Sequence, residues 1–496
     1  MTKKAFLRFV LALAGVAVAT GAQAQPYAVT PGELQIQRDG SVFKISSHLL
    51  NGPQSSCDFI AGIGVVDVSS GDFFWIASLG LLQQDGSLDV EREHALSVLA
   101  SNSAKWIWVS TTCGTNDAEF GAQAFRHWLE PLDDGERTFI PIHYNVNLAQ
   151  GTKVTALDGT ESSWFGYSVA ATDATFVVGA LDGSAHVFEH NGNTWTQVAR
   201  LTASDGAGGF GHSTAVSQGL LVVGQANLVS SGSAYVFDRV GGAWLQTAKL
   251  TALPGEPFDN FGMSVAVAQD TIVVGAPTDH HGGAFFGGGA AYIFERAWGT
   301  WELVTKLTEA SPGYIHNFGD SVAISETTIA IGAPGSRAVY VLERDGSGWQ
   351  EVATLMASDG IALRFGEAVA ISGNTIAVGA SQSDATYVFE RQGNEWQEVA
   401  KLTASDGFPG QGFGEAIGAG PDSIVVGAAP FDALGAAYVF KRSSGGWREV
   451  AKLTANDGAP GDGFGMAVGV GPSVVVVGAP LRDDNGVDSG AVYVFH

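Results

Sequence analysis

Three carboxylates occupy the same place in a recurring phrase of this chain. Asp320, Glu367 and Glu415 each directly follow a Phe-Gly pair, and Tyr167, His212, Met263 and Met466 hold that position after the other four pairs. Two facing carboxyl groups could serve as general acid and general base in glycan cleavage. A ring of such mixed identity fits a solvent-facing recognition surface better than a catalytic set. Histidines form a second group. His280 and His281 share the long stretch 278–289 with Phe285 and Phe286, while His212 and His316 belong to neighbouring repeats. Zinc would need three or four of them converging at about 2 Å, and adjacent histidines on one loop usually point apart. Phe285 and Phe286 suit a recognition loop carried on a rigid scaffold. Asp483, Asp484 and Asp488 make a third group, with enough carboxylate oxygen for a weakly held calcium ion or for an ordinary solvated turn around Asn485-Gly486. Cys57 and Cys113 are the two thiols, and in an exported chain such a pair forms a disulfide. A catalytic thiol working with His94, His127 or His143 has no supporting spacing. The chain contains no nucleophile elbow, phosphate loop, His-Glu-x-x-His or Cys-x-x-Cys. The residues thus describe a binding protein rather than an enzyme, with no cofactor expected beyond that candidate calcium.

The elements that must position these groups are strands. The Phe-Gly pairs begin at Phe165, Phe210, Phe261, Phe318, Phe365, Phe413 and Phe464, spaced by 45, 51, 57, 47, 48 and 51 residues. Each unit reads as four short strands separated by polar or glycine-rich breaks. The first follows Phe-Gly, and the second is a continuous apolar run such as 271–276, which implies burial on both faces. The third is Ala-x-Tyr-Val-Phe-like, and the fourth opens at Trp195, Trp244, Trp301, Trp349, Trp396 or Trp447. A repeat of roughly 40–50 residues with four strands predicts a β-propeller. Six tryptophans serve seven units, because the sequence stops at His496 just after a third strand. The missing outer strand is expected at 153–156, which precedes Phe165 as Lys-Leu-Thr-Ala segments precede the later pairs. An N-terminal strand therefore completes the last blade and closes a seven-bladed ring, with the seven residues after Phe-Gly around the channel entrance.

The remaining chain divides simply. Residues 1–24 read as an export signal, with Lys3, Lys4 and Arg8 before a short apolar run and Ala22-Gln23-Ala24 as cleavage site. Residues 25–145 read as a small disulfide-containing α+β or β-rich domain, with helix-compatible spacing at 89–100 and 120–129. The propeller takes 146–496. Fifty acidic against 25 basic residues, a formal charge of −25, argue against nucleic acid and anionic membrane surfaces as partners. No mature segment is apolar and long enough to span a bilayer.

These repeats resemble the FG-GAP repeat family, whose best-known members are the seven-bladed propellers of integrin α subunits. The residues that carry the likeness are the seven Phe-Gly pairs, Gly-Ala-Pro at Gly275, Gly332 and Gly478, and degenerate forms at Gly179, Gly224, Gly379 and Gly427. Bacterial secreted FG-GAP proteins with Leu-Thr-Ala-Ser-Asp-Gly linkers, as at 201–206 and 402–407, are the closer likeness. The likeness covers about 148–496, some 70% of the chain. It implies an all-β propeller and a secreted, periplasmic or extracellular adhesion module. The implied partner is an extracellular protein or glycan held by loops of blades two to five. In integrin-like propellers calcium occupies a D-x-D-x-D-G-x-x-D loop between first and second strands. The equivalent turns here carry one carboxylate at most, as in 172–175, 269–271, 325–327 and 421–423, so calcium of that type is not expected. A carbohydrate-active hydrolase or lyase, working at the channel mouth or in the N-terminal domain, and a structural envelope scaffold are the rival readings.

Overall fold

The computed structural model describes residues 151–496, except 193, 207, 227–229, 281–287, 310–315, 361, 432 and 444, and the backbone of eight strands between 32 and 142. Contacts divide the chain into two units, Met1–Asn147 and Leu148–His496. The strands of the first unit form two four-stranded sheets. One runs in the order Arg92–His94, Val42–His48, Gly32–Asp39, Arg137–Ile142, and the other Phe73–Gly80, Ala61–Val66, Trp106–Thr111, Gln123–Trp128. Where the spacing of 89–100 and 120–129 predicts helix, the backbone contains the strands Arg92–His94 and Gln123–Trp128. Runs that short match both periods, so apolar spacing alone could not separate them. Residues 1–24 and the cysteines Cys57 and Cys113 lie outside the described residues.

The second unit is seven four-stranded antiparallel sheets, each a meander in chain order except the last. In the third blade the strands are Ser264–Ala268, Thr271–Ala276, Ala290–Ala297 and Thr300–Thr308. Every residue of Thr271–Ala276 is buried, because its two faces meet the sheets on either side. Outermost strands alternate instead. Glu395–Leu402 buries or half-buries every second side chain and leaves the others in water, the period expected when one face is solvated. The core therefore lies between blades. Val222, Val236, Ile272, Val274 and Tyr292, from blades two and three, belong to one buried cluster.

Both halves of the repeated phrase have a steric cause. The glycine of each Phe-Gly pair holds φ between 88° and 101°. Its carbonyl oxygen closes on the Gly-Ala glycine of the preceding blade, where a Cβ on Gly275 would lie 1.9 Å from the Gly319 oxygen. Only glycine fits on either side of that contact. Each Phe is buried against the third strand of its own blade, under a Tyr in six blades, as Phe413 is against Tyr438 with centroids 5.5 Å apart, and under His186 in the first.

The ring closes as the count of tryptophans predicts. Thr152–Val154 pairs antiparallel with Ala491–Phe495 and becomes the outer strand of the seventh blade. Innermost strands touch their neighbours all the way round, Ala467–Val470 meeting Ser168–Ala171. All first strands start, and all second strands finish, at the same end of the ring, so the Phe-Gly linkers and second-to-third loops share one face. Among the described residues, no helix is long and apolar enough to cross a membrane.

Candidate functional site

The first strand of each blade carries the residue after Phe-Gly to the mouth of the channel. Tyr167 and His212 meet there from adjacent blades, with Tyr167 Oη 3.4 Å from His212 Nε2 and the rings edge to face. Across the mouth, Arg364 pairs with Glu367 at 3.0 Å, and Glu367 also accepts the Ser381 hydroxyl. The Arg364 charge reaches both Asp320 and Glu415, so blades four, five and six converge on one guanidinium. The Glu415 charge in turn reaches Tyr167 in blade one.

Burial sets the protonation states. It raises the Asp320 carboxyl to about 6, with Arg364 opposing and Glu367 reinforcing the rise. Glu415 opens to solvent, yet the surrounding walls lift its carboxyl above the usual range, helped by Glu367 and opposed by Arg364. Burial holds His212 below the ordinary imidazole value and Tyr167 above the ordinary phenol value. The mouth therefore presents an imidazole held towards its neutral form, a phenol, and three carboxyl groups around one guanidinium. Such a set can hydrogen-bond hydroxyls or take a cation.

Two residues at the mouth carry a signal that spacing alone misses. The residue before each Phe-Gly pair adopts left-handed backbone. It is Gly209, Asn260, Asn317, Gly412 or Gly463 in five repeats but Trp164 (φ 52°) and Arg364 (φ 60°) in the others. Glycine and asparagine tolerate that region, whereas a bulky residue there is costly and tends to mark function. Trp164 lies 6.3 Å, centroid to centroid, from Tyr167, so both misfits flank the mouth. Comparing the seven aligned positions would have exposed them.

The other sequence candidates disperse. His280 faces Asp259 at 3.4 Å, and His316 faces Ser336 at 2.8 Å and Glu309 at 3.1 Å. These imidazoles serve separate local contacts and do not gather with His212. His281, Phe285 and Phe286 lie outside the described residues. In the acidic loop, Asp484 pairs with Lys153 at 2.8 Å and Arg482 at 3.5 Å, while Asp483 accepts the Asp488 amide at 2.9 Å. The Asp488 carbonyl accepts the amide of Trp164, which docks the loop on the first blade. Among the described residues, no group of three or more His, Cys, Asp or Glu is placed to hold a metal ion.

One constellation has the look of a nucleophile. Ser184 Oγ lies 2.9 Å from His186 Nε2, and His186 Nδ1 lies 3.8 Å from Asp158. Ser184 is wholly buried and donates its proton to Asp182 at 2.5 Å, so no substrate carbonyl can reach it. Its role is structural. In other blades the same place holds a Tyr-Asp-Lys latch, as where Asp406 binds Tyr438 at 2.8 Å and Lys452 at 2.6 Å.

The chain matches the FG-GAP repeat model in six segments, 149–190, 195–237, 244–294, 349–392, 396–440 and 447–495. Together they make up more than half of the chain. Five of them begin with the outer strand of one blade and continue into the next, the same one-strand offset that closes the ring. The first holds the closing strand Thr152–Val154 itself. The first three strands of the fourth blade, Val322–Ser325, Thr328–Ala333 and Ala338–Asp345, fall between matched segments, yet the blade keeps the four-stranded form. No curated protein matches the chain. On the matched segments and the seven-bladed ring they build, the chain belongs to the FG-GAP repeat family.

Proposed function

We propose that this protein is an exported binding or adhesion module that takes an extracellular protein or glycan on the channel-mouth face of its propeller. The observation that carries the reading is the convergence of Trp164, Tyr167, His212, Asp320, Arg364, Glu367 and Glu415 from five blades on one mouth. Aromatic faces and fixed hydrogen-bonding groups together are what recognition surfaces use. Exposed apolar residues on loops of the same face, Phe258, Phe408, Phe431 and Leu434, extend the contact area outward. Membership of the FG-GAP family fits a binding role outside the cell.

One observation favours a second reading, a glycan-cleaving enzyme. Asp320, raised to about 6, lies within the field of Glu367, and carboxyls pushed to different proton affinities are how acid and base roles are divided. The test is to apply the full chain to an array of glycans and matrix proteins, with and without chelator, and to recover the bound ligand. Binding with ligand intact, unaffected by chelator, is expected. Ligand recovered shortened would transfer the mouth to catalysis, and chelator-sensitive capture would implicate a metal.

A further inference from the structure

Most blade junctions are held by two polar latches, and the junction of the seventh blade with the first replaces both with histidines. At the mouth end an acid after one outer strand binds the Tyr and Lys of the next blade. Asp205 holds Tyr235 at 2.9 Å and Lys249 at 2.5 Å, and Asp359 holds Tyr387 at 2.8 Å and Lys401 at 2.7 Å. At the opposite end an acid on the third strand binds the Arg, and often the Trp, of the next blade. Glu189 takes Arg239 at 2.7 Å and Trp244 at 3.3 Å, and Glu295 takes Arg344 at 2.8 Å and Trp349 at 2.9 Å.

Where the seventh blade meets the first, histidines replace these residues. His186 stands in place of the Tyr and Arg200 in place of the Lys, both facing Asp158 on the segment that leaves the closing strand. At the far end His496 stands in place of the acid and His190 in place of the Arg. Trp195 Nε1 donates to His496 Nε2 at 3.3 Å, and the His190 and His496 rings lie 6.0 Å apart.

We propose that this seam is an acid-labile closure: protonation of the buried His186 loosens the seventh blade from the first. His186 is 2% exposed, against the edge of Phe165. The groups facing it are Ser184, Asp182, Asp158, Gln197 and Arg200. Both acids favour an imidazolium but are shared with Arg200, at 3.0 Å to Asp158 and 3.3 Å to Asp182, whose own charge opposes it. Burial accordingly holds the His186 proton affinity below the ordinary value near 6.5. A histidine depressed in the closed form stabilises closure above about pH 6.5 and withdraws that stabilisation as the pH falls below it. At the far end a Trp195–His496 hydrogen bond replaces the carboxylate latch of the other junctions. Among the described residues, neither His190 nor His496 has an ion pair.

Other ties keep the loosening local. Ser473 still binds Asp173 at 2.8 Å, and the amides of Ser162 and Trp164 still reach the carbonyls of Val487 and Asp488. The segment freed first runs into Trp164 and Tyr167, so acid would act on one wall of the mouth whatever ligand it takes.

The test is hydrogen–deuterium exchange on the full chain at pH 7.5 and 5.0, corrected for the intrinsic pH dependence of exchange. Peptides over 152–164 and 184–202 are compared with those of the blade five–six junction. One shifted proton is worth about tenfold per pKa unit, so seam protection should fall by about tenfold or more at pH 5.0 while the other junction holds. Restoring the common latches with His186→Tyr, Arg200→Lys, His190→Arg and His496→Glu should abolish the difference. Asp320 also titrates in this range but remains in that variant, as do Glu415 and His212, so none of them confounds it. Seam peptides as protected at pH 5.0 as at 7.5, or equal acid sensitivity in the restored variant, would overturn the proposal. The wild-type comparison decides alone if that variant does not fold.

Discussion

At the scale of single residues, the mouth stores a cost that a substitution can relieve. Asp320 titrates at about 6 against an ordinary aspartate near 4. A carboxyl raised in the folded state is penalised when ionised, so its contribution improves as pH falls from about 6 to 4 and is least favourable above 6. Asp320→Asn removes the ionisation and should stabilise the protein by on the order of 1 kcal/mol at pH 7.5 and by about a third of that at pH 4.5. Thermal unfolding at the two pH values checks this, and equal effects at both would contradict the assignment. The residue scale is also where the sequence was least legible. The equal spacing of Asp320, Glu367 and Glu415 behind Phe-Gly placed them on one mouth, because register in a strand is fixed by its start. The Arg364 that links them was hidden, since its role follows from a left-handed backbone and not from a motif. His280 and His316 take separate local partners, because belonging to nearby loops does not decide where an imidazole points.

At the scale of the blade, glycine contacts and polar latches do different work. The Gly275 and Gly319 backbones approach so closely that an added methyl group at Gly275 must displace the next blade. Gly275→Ala should cost about 2 kcal/mol or more, as other overpacked sites do, whereas Gly346→Ala, in a hairpin with open space around it, should change stability little. Denaturant unfolding of both variants makes the comparison, and equal effects would refute the steric account. The strand pattern of each blade was readable because continuous apolarity, alternation and glycine breaks repeat seven times. The latches were present as letters, the Asp of Ser-Asp-Gly, the Tyr of Ala-x-Tyr-Val-Phe and the Lys of Lys-Leu-Thr. Their partnership is across blades, roughly 30 and 45 residues apart, and only the folded ring shows it. In the N-terminal unit no repeat averages out accidents of spacing, and two short runs of helical period proved to contain strands.

At the scale of the molecule, a ring of repeats gains by closure what an open array lacks. The closing strand contributes Lys153, which reaches Asp457 at 2.7 Å and Asp484 at 2.8 Å, so the seventh blade is tied to residues over 300 positions away. Its pairing was predicted from one missing tryptophan, because a four-stranded unit cannot end after three strands without leaving an open edge. The closed ring is what brings five blades to one mouth, and the binding reading stands on that convergence. Its most direct measurement is equilibrium binding of the array-selected ligand to wild type and to a Glu367→Gln, Glu415→Gln variant, with the ligand analysed afterwards. The account predicts an affinity loss of about tenfold or more in the variant, from lost charge-assisted hydrogen bonds, with ligand intact in both cases. Unchanged affinity would move recognition away from the mouth. Ligand cleaved by wild type and spared by the variant would make the protein an enzyme.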